Sequence, residues 1–264
     1  MTFAPKLVAL DIDGTIVDQQ GELPDAVAQA IRGVLDAGVP VVLATGRSWL
    51  STQGVFDRLG LPAGWAVCSN GAVIVEYPPL KLHQAMTFDP AEIIARVTQI
   101  APRALIGVEE LGLGWRLSGE FPPGELDGHL VYETPRELAS RPVTRIVIRD
   151  PNGNDAEFDE MARQLGMHDV SYFIGWSRWL DIAPSGVDKA AGLEVVCEAL
   201  GVRAGEVLAL GDGNNDIEML RWAGRGVAIG GSPAEVQAAA DHVTGSFADG
   251  GTVTELGRWF QPGR

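Results

Sequence analysis

The sequence predicts an α/β protein with a doubly wound parallel sheet as its core and an inserted α+β cap. Three observations support this prediction. Short, continuously apolar runs alternate with helical patterns through residues 1–70, which is typical of strands buried on both faces of a parallel sheet. The same alternation returns after residue 184. Between these segments, turns rich in glycine and proline separate short strands and helices that lack this rhythm.

Composition indicates the size and class of the protein. The chain has 264 residues, of which 46% are apolar and 21% are charged. A chain of this length is enough for about two domains, and its apolar content excludes global disorder. With 20 basic and 35 acidic residues the formal net charge is −15, so we expect no nucleic-acid partner. That charge still allows a small anionic ligand in a locally neutralised cleft.

The sequence contains no membrane or secretion signal. No apolar run approaches the ~20 residues that span a bilayer, and the N-terminus lacks signal-peptide architecture. The cysteines Cys68 and Cys197 have neither disulfide-framework nor metal-binding spacing. We therefore expect a cytoplasmic protein with no membrane partner. No heptad or exposed apolar stripe indicates an oligomeric state.

The core elements are predicted from apolar periodicity and from helix start and stop signals. A helix begins at Pro24 and ends at Gly38. Buried strands are predicted over 7–10, 39–44, 65–68, 207–210 and 227–229, and further helices over 188–200, from Asn215, near 233–240 and near 252–260. Together they describe successive βα units of one sheet, whose ligands are expected at the carboxyl ends of the strands.

The insert carries two predicted helices and three predicted strands, over 90–101, 154–166, 145–149, 170–174 and 178–182. Pro78-Pro79 interrupts the chain before it, and Pro184-Ser185-Gly186 follows it. We therefore predict a core of residues 1–80 and 184–264 and a cap of residues 81–183.

Two carboxylates follow the first strand in the motif Asp11-Ile12-Asp13-Gly14-Thr15. One can attack phosphorus while the other moves a proton to or from the leaving group. Taken alone, the motif is only modest evidence for phosphoryl chemistry, because Asp and Gly also follow strands as ordinary turn residues.

Two further features supply groups that bind anions. Thr45-Gly46-Arg47 follows the second strand and precedes a helix, which offers a hydroxyl, an open backbone amide and a helix N-terminus. Lys189 lies near the start of a later helix and could neutralise a phosphate. Each has a plain alternative, an ordinary βα turn for the first and a solvated surface lysine for the second.

A dense polar loop, Gly211-Asp212-Gly213-Asn214-Asn215-Asp216, closes the strand predicted at 207–210. Its carboxylate and amide oxygens are the hard ligands that Mg²⁺ prefers. The loop therefore predicts a magnesium site beside the carboxylates that follow the first strand.

Taken in order, these four features resemble the motifs of the haloacid dehalogenase-like (HAD) superfamily, and most closely its Cof-type, class IIB phosphatases. Asn70-Gly71-Ala72, the segment 180–189 and Val227-Ala228-Ile229-Gly230 add to the likeness. The resemblance covers both core segments and implies a Rossmann-like core with an α/β cap between the second and third motifs. The chain departs from the subfamily at Gly231-Ser232, where Asn-Ala is usual.

The resemblance also implies roles for individual residues. Asp11 is expected to be the nucleophile and a magnesium ligand, and Asp13 the general acid and then base, with its backbone carbonyl on the metal. Asp212 would complete the metal ligands, with Asp216 and Asn215 at or beside the metal. The implied phosphate- and substrate-binding residues are Thr45, Gly46, Arg47, Asn70, Lys189 and Asn215.

The cap is expected to set specificity by closing over the site. Candidate substrate contacts are Trp176, Ser177, Arg178 and Trp179, where Arg178 could pair with a second anionic group and a tryptophan could stack on a sugar ring. A purely structural role for the tryptophans is an equal alternative. Arg47 likewise fits either a substrate contact or a salt bridge.

The function implied is that of a Mg²⁺-dependent phosphatase, which hydrolyses small phosphorylated metabolites through an aspartyl-phosphate. Among these metabolites we expect sugar phosphates. A phosphosugar mutase uses the same intermediate and returns the phosphoryl group to its substrate, so the motifs leave that alternative open. A non-catalytic phosphometabolite-binding protein is a third hypothesis, although it has no need of the paired carboxylates Asp11 and Asp13.

Overall fold

The computed structural model describes residues 3–18, 20–165, 170–175 and 178–260. Its strands are, in chain order, β1 (Leu7–Leu10), β2 (Val41–Ala44), β3 (Gly64–Cys68), β4 (Val73–Tyr77), β5 (Lys81–Ala85), β6 (Leu105–Glu110), β7 (Gly114–Leu117), β8 (His129–Tyr132), β9 (Ile146–Arg149), β10 (Val170–Gly175), β11 (Trp179–Pro184), β12 (Val207–Gly211), β13 (Arg225–Gly230) and β14 (His242–Ser246). They form an eight-stranded and a six-stranded sheet, which confirms the predicted α/β core and its inserted cap.

The helices are α1 (Asp25–Asp36), α2 (Trp49–Leu59), α3 (Ala91–Ile100), α4 (Pro135–Leu138), α5 (Asp155–Gln164), α6 (Lys189–Leu200), α7 (Ile217–Trp222), α8 (Ala234–Ala239) and α9 (Gly251–Trp259). The helix predicted from Asn215 begins at Ile217, because Asn214–Asp216 forms a 3₁₀ turn first. Among the described residues, no helix has both the length and the hydropathy required to cross a bilayer.

The larger sheet has the order β14-β13-β12-β1-β2-β3-β4-β5 and is parallel from β14 to β3. Alternate residues of β1 face opposite sides of this sheet, as the pleat requires. Val8 and Leu10 pack in a cluster with residues of α1, α2 and α9, whereas Leu7 and Ala9 pack with residues of α6, α7 and α8. Both faces are therefore covered, which explains why the core strands are apolar throughout.

An antiparallel hairpin of β4 and β5 extends the edge of the larger sheet, and the sequence patterns did not predict it. Because β5 pairs with β4, the chain stays in the larger sheet beyond residue 80. The division predicted between residues 80 and 81 therefore falls inside this hairpin, and the domain limits stay a prediction.

The smaller sheet is mixed, with the order β10-β11-β9-β6-β7-β8. One of its faces packs against α3 and α5 in a cluster that includes Ile146, Ile148 and Leu180. The opposite face carries Trp115, Val147 and, packed against them, Trp179. This second face is turned toward the carboxyl ends of the parallel core strands.

Candidate active site

The nucleophile candidate Asp11 lies directly after β1 and is buried. Its backbone N–H donates to Leu210 O at 3.0 Å, which ties the turn to β12. Gly14 has a φ of 76°, and a side chain there would collide with the carboxylate of Asp212. Glycine is therefore needed at this position both for its left-handed backbone and for the close approach of Asp212.

Lys189 is fully buried between two carboxylates at the start of α6. Its Nζ lies 2.6 Å from Asp11 Oδ1 and 2.6 Å from Asp216 Oδ1. Burial alone would lower the pKa of Lys189, but the charges of Asp11 and Asp216 outweigh it and raise that pKa. The ammonium therefore stays charged, and the alternative of a solvated surface lysine is excluded.

Asp216 fastens the polar loop that follows β12. Its Oδ2 accepts hydrogen bonds from the backbone N–H groups of Asp212, at 2.9 Å, and Gly213, at 2.8 Å. Its other oxygen accepts from Lys189. A side chain at Gly211 would collide with Asp216, so the glycine makes room for this arrangement. Asp216 thereby fixes where the Asp212 carboxylate lies.

Asp11, Asp212 and Asp216 form a group whose carboxylate oxygens lie within 4.8 Å of one another and could hold a metal ion. Three carboxylates and one ammonium leave a formal charge of −2 in a largely buried space. Burial first, and repulsion by Asp216 second, raise the pKa of Asp212 to about 6, against the opposing charge of Lys189. The same two causes raise the pKa of Asp11. Hard oxygen donors with this excess of negative charge fit a divalent cation.

Asp13 and Arg47 form a two-pronged ion pair at the mouth of the site. Arg47 donates from Nε to Asp13 Oδ2 at 2.9 Å and from a terminal nitrogen to Oδ1 at 2.6 Å. The hydrogen bond to Asp13 is the main cause that raises the pKa of Arg47. Of the two roles considered for Arg47, the structure shows the salt bridge.

The turn at Thr45–Arg47 is held by its neighbours in the core. Thr45 Oγ1 accepts from the backbone N–H of Arg47 at 3.1 Å, and Thr45 O accepts from the N–H of Asn70 at 3.0 Å. Asn215 donates to Asn70 Oδ1 at 2.9 Å, beside Gly46. The structure therefore brings the expected phosphate-binding residues of three separate motifs to one place.

A cavity of about 670 Å³ separates these core residues from the cap. Its lining includes Asp11, Asp13 and Asp212 on the core side and Trp115, Arg145, Trp179 and Asp181 on the cap side. Trp179 was predicted as a substrate contact, and it does line this cavity. Its indole donates to Asp181 Oδ2 at 2.9 Å, which orients the ring within the wall.

Arg178 is not brought to the cavity. Its guanidinium donates to the backbone carbonyls of Asp150, at 2.8 Å, and Pro151, at 3.1 Å, and pairs with Asp155 at 3.1 Å. These contacts hold a turn of the cap, because Arg178 itself lies in the turn that precedes β11. The other two candidates, Trp176 and Ser177, lie outside the described residues.

Sequence reasoning missed the cap residues Trp115, Arg145 and Asp181. Trp179 and Asp181 alternate with the buried Leu180 and Ile182, and this period-two pattern was a usable signal. Arg145 immediately precedes the apolar residues of β9, a position that indicates burial, and burial is rare for an arginine without partners. Neither signal shows which face of the sheet meets the core.

Comparison with known proteins identifies the family. A model of the haloacid dehalogenase-like hydrolases matches residues 8–105 and 126–256. The chain belongs to this family. A phosphoglycolate phosphatase of Natronomonas pharaonis is 31% identical over 245 residues, which cover 92% of this hydrolase and 93% of the relative. The 5-amino-6-(5-phospho-D-ribitylamino)uracil phosphatase of Bacillus subtilis is 26% identical over 263 residues, 96% and 95% of the two chains.

Solved structures share the fold of this hydrolase. A HAD subclass IIB sugar phosphatase superposes with a TM-score of 0.82 at 20% identity, over 96% of this chain and 98% of that chain. A protein of Streptococcus mutans UA159 superposes with a TM-score of 0.83 at 18% identity, over 97% and 99%. These likenesses confirm the inserted-cap architecture. The family match and the two phosphatase relatives identify the protein as a HAD-type phosphatase of small phosphorylated metabolites.

Proposed function

We propose that this phosphatase hydrolyses sugar phosphates through an aspartyl-phosphate formed on Asp11, with Mg²⁺ as its cofactor. One observation carries the proposal. Asp11 and Asp212 lie at the floor of a cavity whose roof is aromatic and acidic, and the buried Lys189 and Asp216 behind them bring the formal charge of the four groups to −2. The floor suits phosphoryl transfer, and the roof suits an uncharged, hydroxylated leaving group.

The proposed reaction has two steps that share one pair of carboxylates. A carboxylate oxygen of Asp11 attacks phosphorus, the bond from phosphorus to the leaving oxygen breaks, and Asp13 gives that oxygen a proton. Asp13 then takes a proton from water, whose oxygen attacks the phosphorus of the aspartyl-phosphate. The bond from phosphorus to the Asp11 oxygen breaks, which releases phosphate and restores the Asp11 carboxylate. The side chain of Asp13 is exposed at the mouth of the cavity, where a leaving group and a water molecule can reach it.

Two anions, the Asp11 carboxylate and the phosphoryl group, must approach each other in this reaction. Lys189 lies against Asp11 and offsets part of their repulsion. Magnesium bound by Asp11, Asp212 and the backbone carbonyl of Asp13 would supply the remaining positive charge. Both oxygens of Asp216 already accept hydrogen bonds, so we assign Asp216 to holding Lys189 and the Asp212 loop.

The cap wall supports the sugar assignment. Hydroxyl groups can donate to carboxylates such as Asp181, and the apolar faces of sugars pack against indole rings such as those of Trp115 and Trp179. Among the described lining residues of the cap, Glu125 pairs with Arg149, and Asp127 and Asp181 outnumber the single lining cation Arg145. A leaving group that carries a carboxylate, such as glycolate, would meet net repulsion at this wall.

The test is phosphate release from a panel that contains hexose phosphates, a ribitol phosphate and phosphoglycolate, with Mg²⁺ and with excess chelator. We expect Mg²⁺-dependent release that is faster for the polyhydroxylated members than for phosphoglycolate. Release of phosphate without dependence on a metal would contradict the cofactor assignment. Faster turnover of phosphoglycolate would contradict the sugar assignment, and an isomeric sugar phosphate without free phosphate would identify a mutase.

A further inference from the structure

A buried arginine of the cap reaches into the core. Arg145 immediately precedes β9, and its side chain is only 5% exposed. A terminal nitrogen of its guanidinium donates to the backbone carbonyl of Gly46, in the turn that follows β2. The guanidinium also stacks over the ring of Trp115, 4.6 Å from the centroid. The contact therefore joins the cap face to the turn expected to hold the phosphoryl group.

Two carboxylates of the cap orient this guanidinium. Its Nε forms an ion pair with Glu109 at 3.3 Å, and a terminal nitrogen lies 3.4 Å from Asp181. Glu109 is itself only 2% exposed, so neither charge of that pair is solvated. Because desolvated charges are costly without partners, the cluster of Arg145, Glu109 and Asp181 is restricted to geometries in which these charges stay paired.

The same cluster makes a second contact with the core. Ser69 donates from Oγ to Glu109 Oε2 at 2.6 Å. Ser69 and Asn70 both lie in the left-handed region, with φ values of 50° and 54°. Residues other than glycine rarely adopt this backbone conformation, so contacts with surrounding residues must hold the backbone of Ser69 and Asn70 in it.

Backbone hydrogen bonds join the two core contacts into one unit. The N–H of Ser69 donates to Arg47 O at 2.8 Å, and the N–H of Asn70 donates to Thr45 O at 3.0 Å. Arg145 and Glu109 thus hold two adjacent turns of the core from a single face of the cap. The Gly46 carbonyl, in turn, belongs to the peptide unit whose N–H donates to Thr45 Oγ1.

We propose that Arg145 is a positioning residue for phosphoryl transfer, an inference that rests on the proposed function of this site. By binding the Gly46 carbonyl, it sets the peptide plane of the phosphate-binding turn, with Glu109 and Ser69 securing the neighbouring turn. The turn reaches its working geometry only when the cap is seated on the core. Arg145 therefore couples cap closure to catalysis through the phosphate-binding turn.

Two roles for Arg145 can be separated by leaving-group dependence. A residue that contacts the leaving group affects substrates in proportion to that contact. A residue that shapes the phosphate-binding turn lowers the rate for every phosphomonoester by a similar factor, since the phosphoryl group is common to them all. Small misplacements of reacting groups can cost about 100-fold in rate.

The experiment compares Arg145→Met with Arg116→Met. Arg116 is a matched control, because it is also a buried cap arginine and pairs with the cap residues Glu110 and Glu133. For Arg145→Met we expect kcat/KM to fall by about 10- to 100-fold. The factor should be similar for hexose phosphates and for p-nitrophenyl phosphate. We expect the fall to lie mainly in kcat, with partial recovery in Arg145→Lys.

Hydrogen exchange gives a second readout that needs no turnover. Amides of residues 44–48 and 68–72 should exchange faster in Arg145→Met and in Ser69→Ala than in the wild type and in Arg116→Met. A loss confined to one leaving group, or unchanged exchange in both segments, would overturn the proposal. If the wild type released no phosphate from any substrate, the proposed function would fail, while the exchange data would still decide whether Arg145 holds the turn. Thermal unfolding shows whether Arg145→Met has kept its fold. If it has not, the exchange test uses Ser69→Ala alone, which changes only the core side of the contact.

Discussion

The two walls of the cavity are built in different ways. On the core wall, each charged group lies on a turn that directly follows a parallel strand, or on the first turn of α6. Glycines at these turns allow approaches that no side chain would permit, as at Gly14 and Gly211. On the cap wall, several lining residues project from the open face of the mixed sheet, where Trp179 and Asp181 alternate with core positions. The core wall therefore tolerates few substitutions, while the cap wall can change its side chains without changing its backbone.

The largest expected effect lies on the core wall, at Asp11. In Asp11→Asn the amide cannot form an aspartyl-phosphate, so we expect turnover to fall by about 10⁴-fold or more. The fold should persist, because the pKa of Asp11 is already raised by burial and an uncharged side chain suits the position. Steady-state kinetics and thermal unfolding measure the two quantities. Asp36→Asn, at an exposed helix position, serves as the control, and near-wild-type rates in Asp11→Asn would show that another group is the nucleophile.

Lys189→Met tests the charge balance of the same wall. The variant leaves Asp11 and Asp216 buried without their shared cation, and loss of one partner from a buried pair costs about 3–5 kcal/mol. We also expect kcat to fall by about 10²- to 10³-fold, because an anion then approaches Asp11 without that charge. Urea unfolding and kinetics check both. Lys81→Met removes an exposed lysine and should change neither stability nor kcat. Equal stability of the two variants would contradict the role of Lys189 as the buried cation shared by Asp11 and Asp216.

The response of stability to pH should depend on the metal. Without a cation, burial and Asp216 raise the pKa of Asp212 to about 6, above its usual value in an unfolded chain. Folding therefore favours the protonated form of Asp212. The stability that this protonation contributes is present at low pH and is lost as pH rises through about 6. One pKa unit corresponds to about 1.4 kcal/mol. In chelator, therefore, the melting temperature should fall between pH 5 and pH 8, and excess Mg²⁺ should remove most of that fall.

Asp212→Asn is the matching variant for this comparison. It removes the titrating carboxylate, so its melting temperature in chelator should fall less over the same pH range, and Mg²⁺ should raise it less. A wild-type profile in chelator that rises from pH 5 to pH 8 would contradict the excess negative charge assigned to the cluster.

The contrast between the walls also explains what sequence reasoning could reach. Asp11, Lys189 and Asp212 were predictable because their motifs include the turn or helix start that places them. Arg145 and Asp181 were not, because their role depends on which face of the cap sheet meets the core. That orientation comes from packing between residues distant in the chain. The β4–β5 hairpin was missed for a similar reason, since the proline pair was interpreted as the end of the core.

On the cap wall, Asp181→Asn should change selectivity more than rate. The amide retains an acceptor but loses the charge, so repulsion of a carboxylate leaving group weakens. We expect the ratio of kcat/KM for hexose phosphate over phosphoglycolate to fall by about tenfold, the size of one modest polar interaction. The Mg²⁺ dependence should stay as in the wild type. An unchanged ratio would indicate that Asp181 orients Trp179 and does not meet the leaving group.

The smallest effect is expected at Arg178, which separates the cap wall from the rest of the cap. Its guanidinium serves two backbone carbonyls and Asp155 and does not line the cavity. In Arg178→Met, kcat/KM for every substrate should stay within about twofold of the wild type, while stability falls by about 1 kcal/mol for the lost hydrogen bonds. Measuring kcat/KM of Arg178→Met and Asp181→Asn on the same substrates shows which of the two residues affects selectivity. A substrate-selective loss in Arg178→Met would place the specificity surface across the cap turn and not on the sheet face that the structure turns toward Asp11.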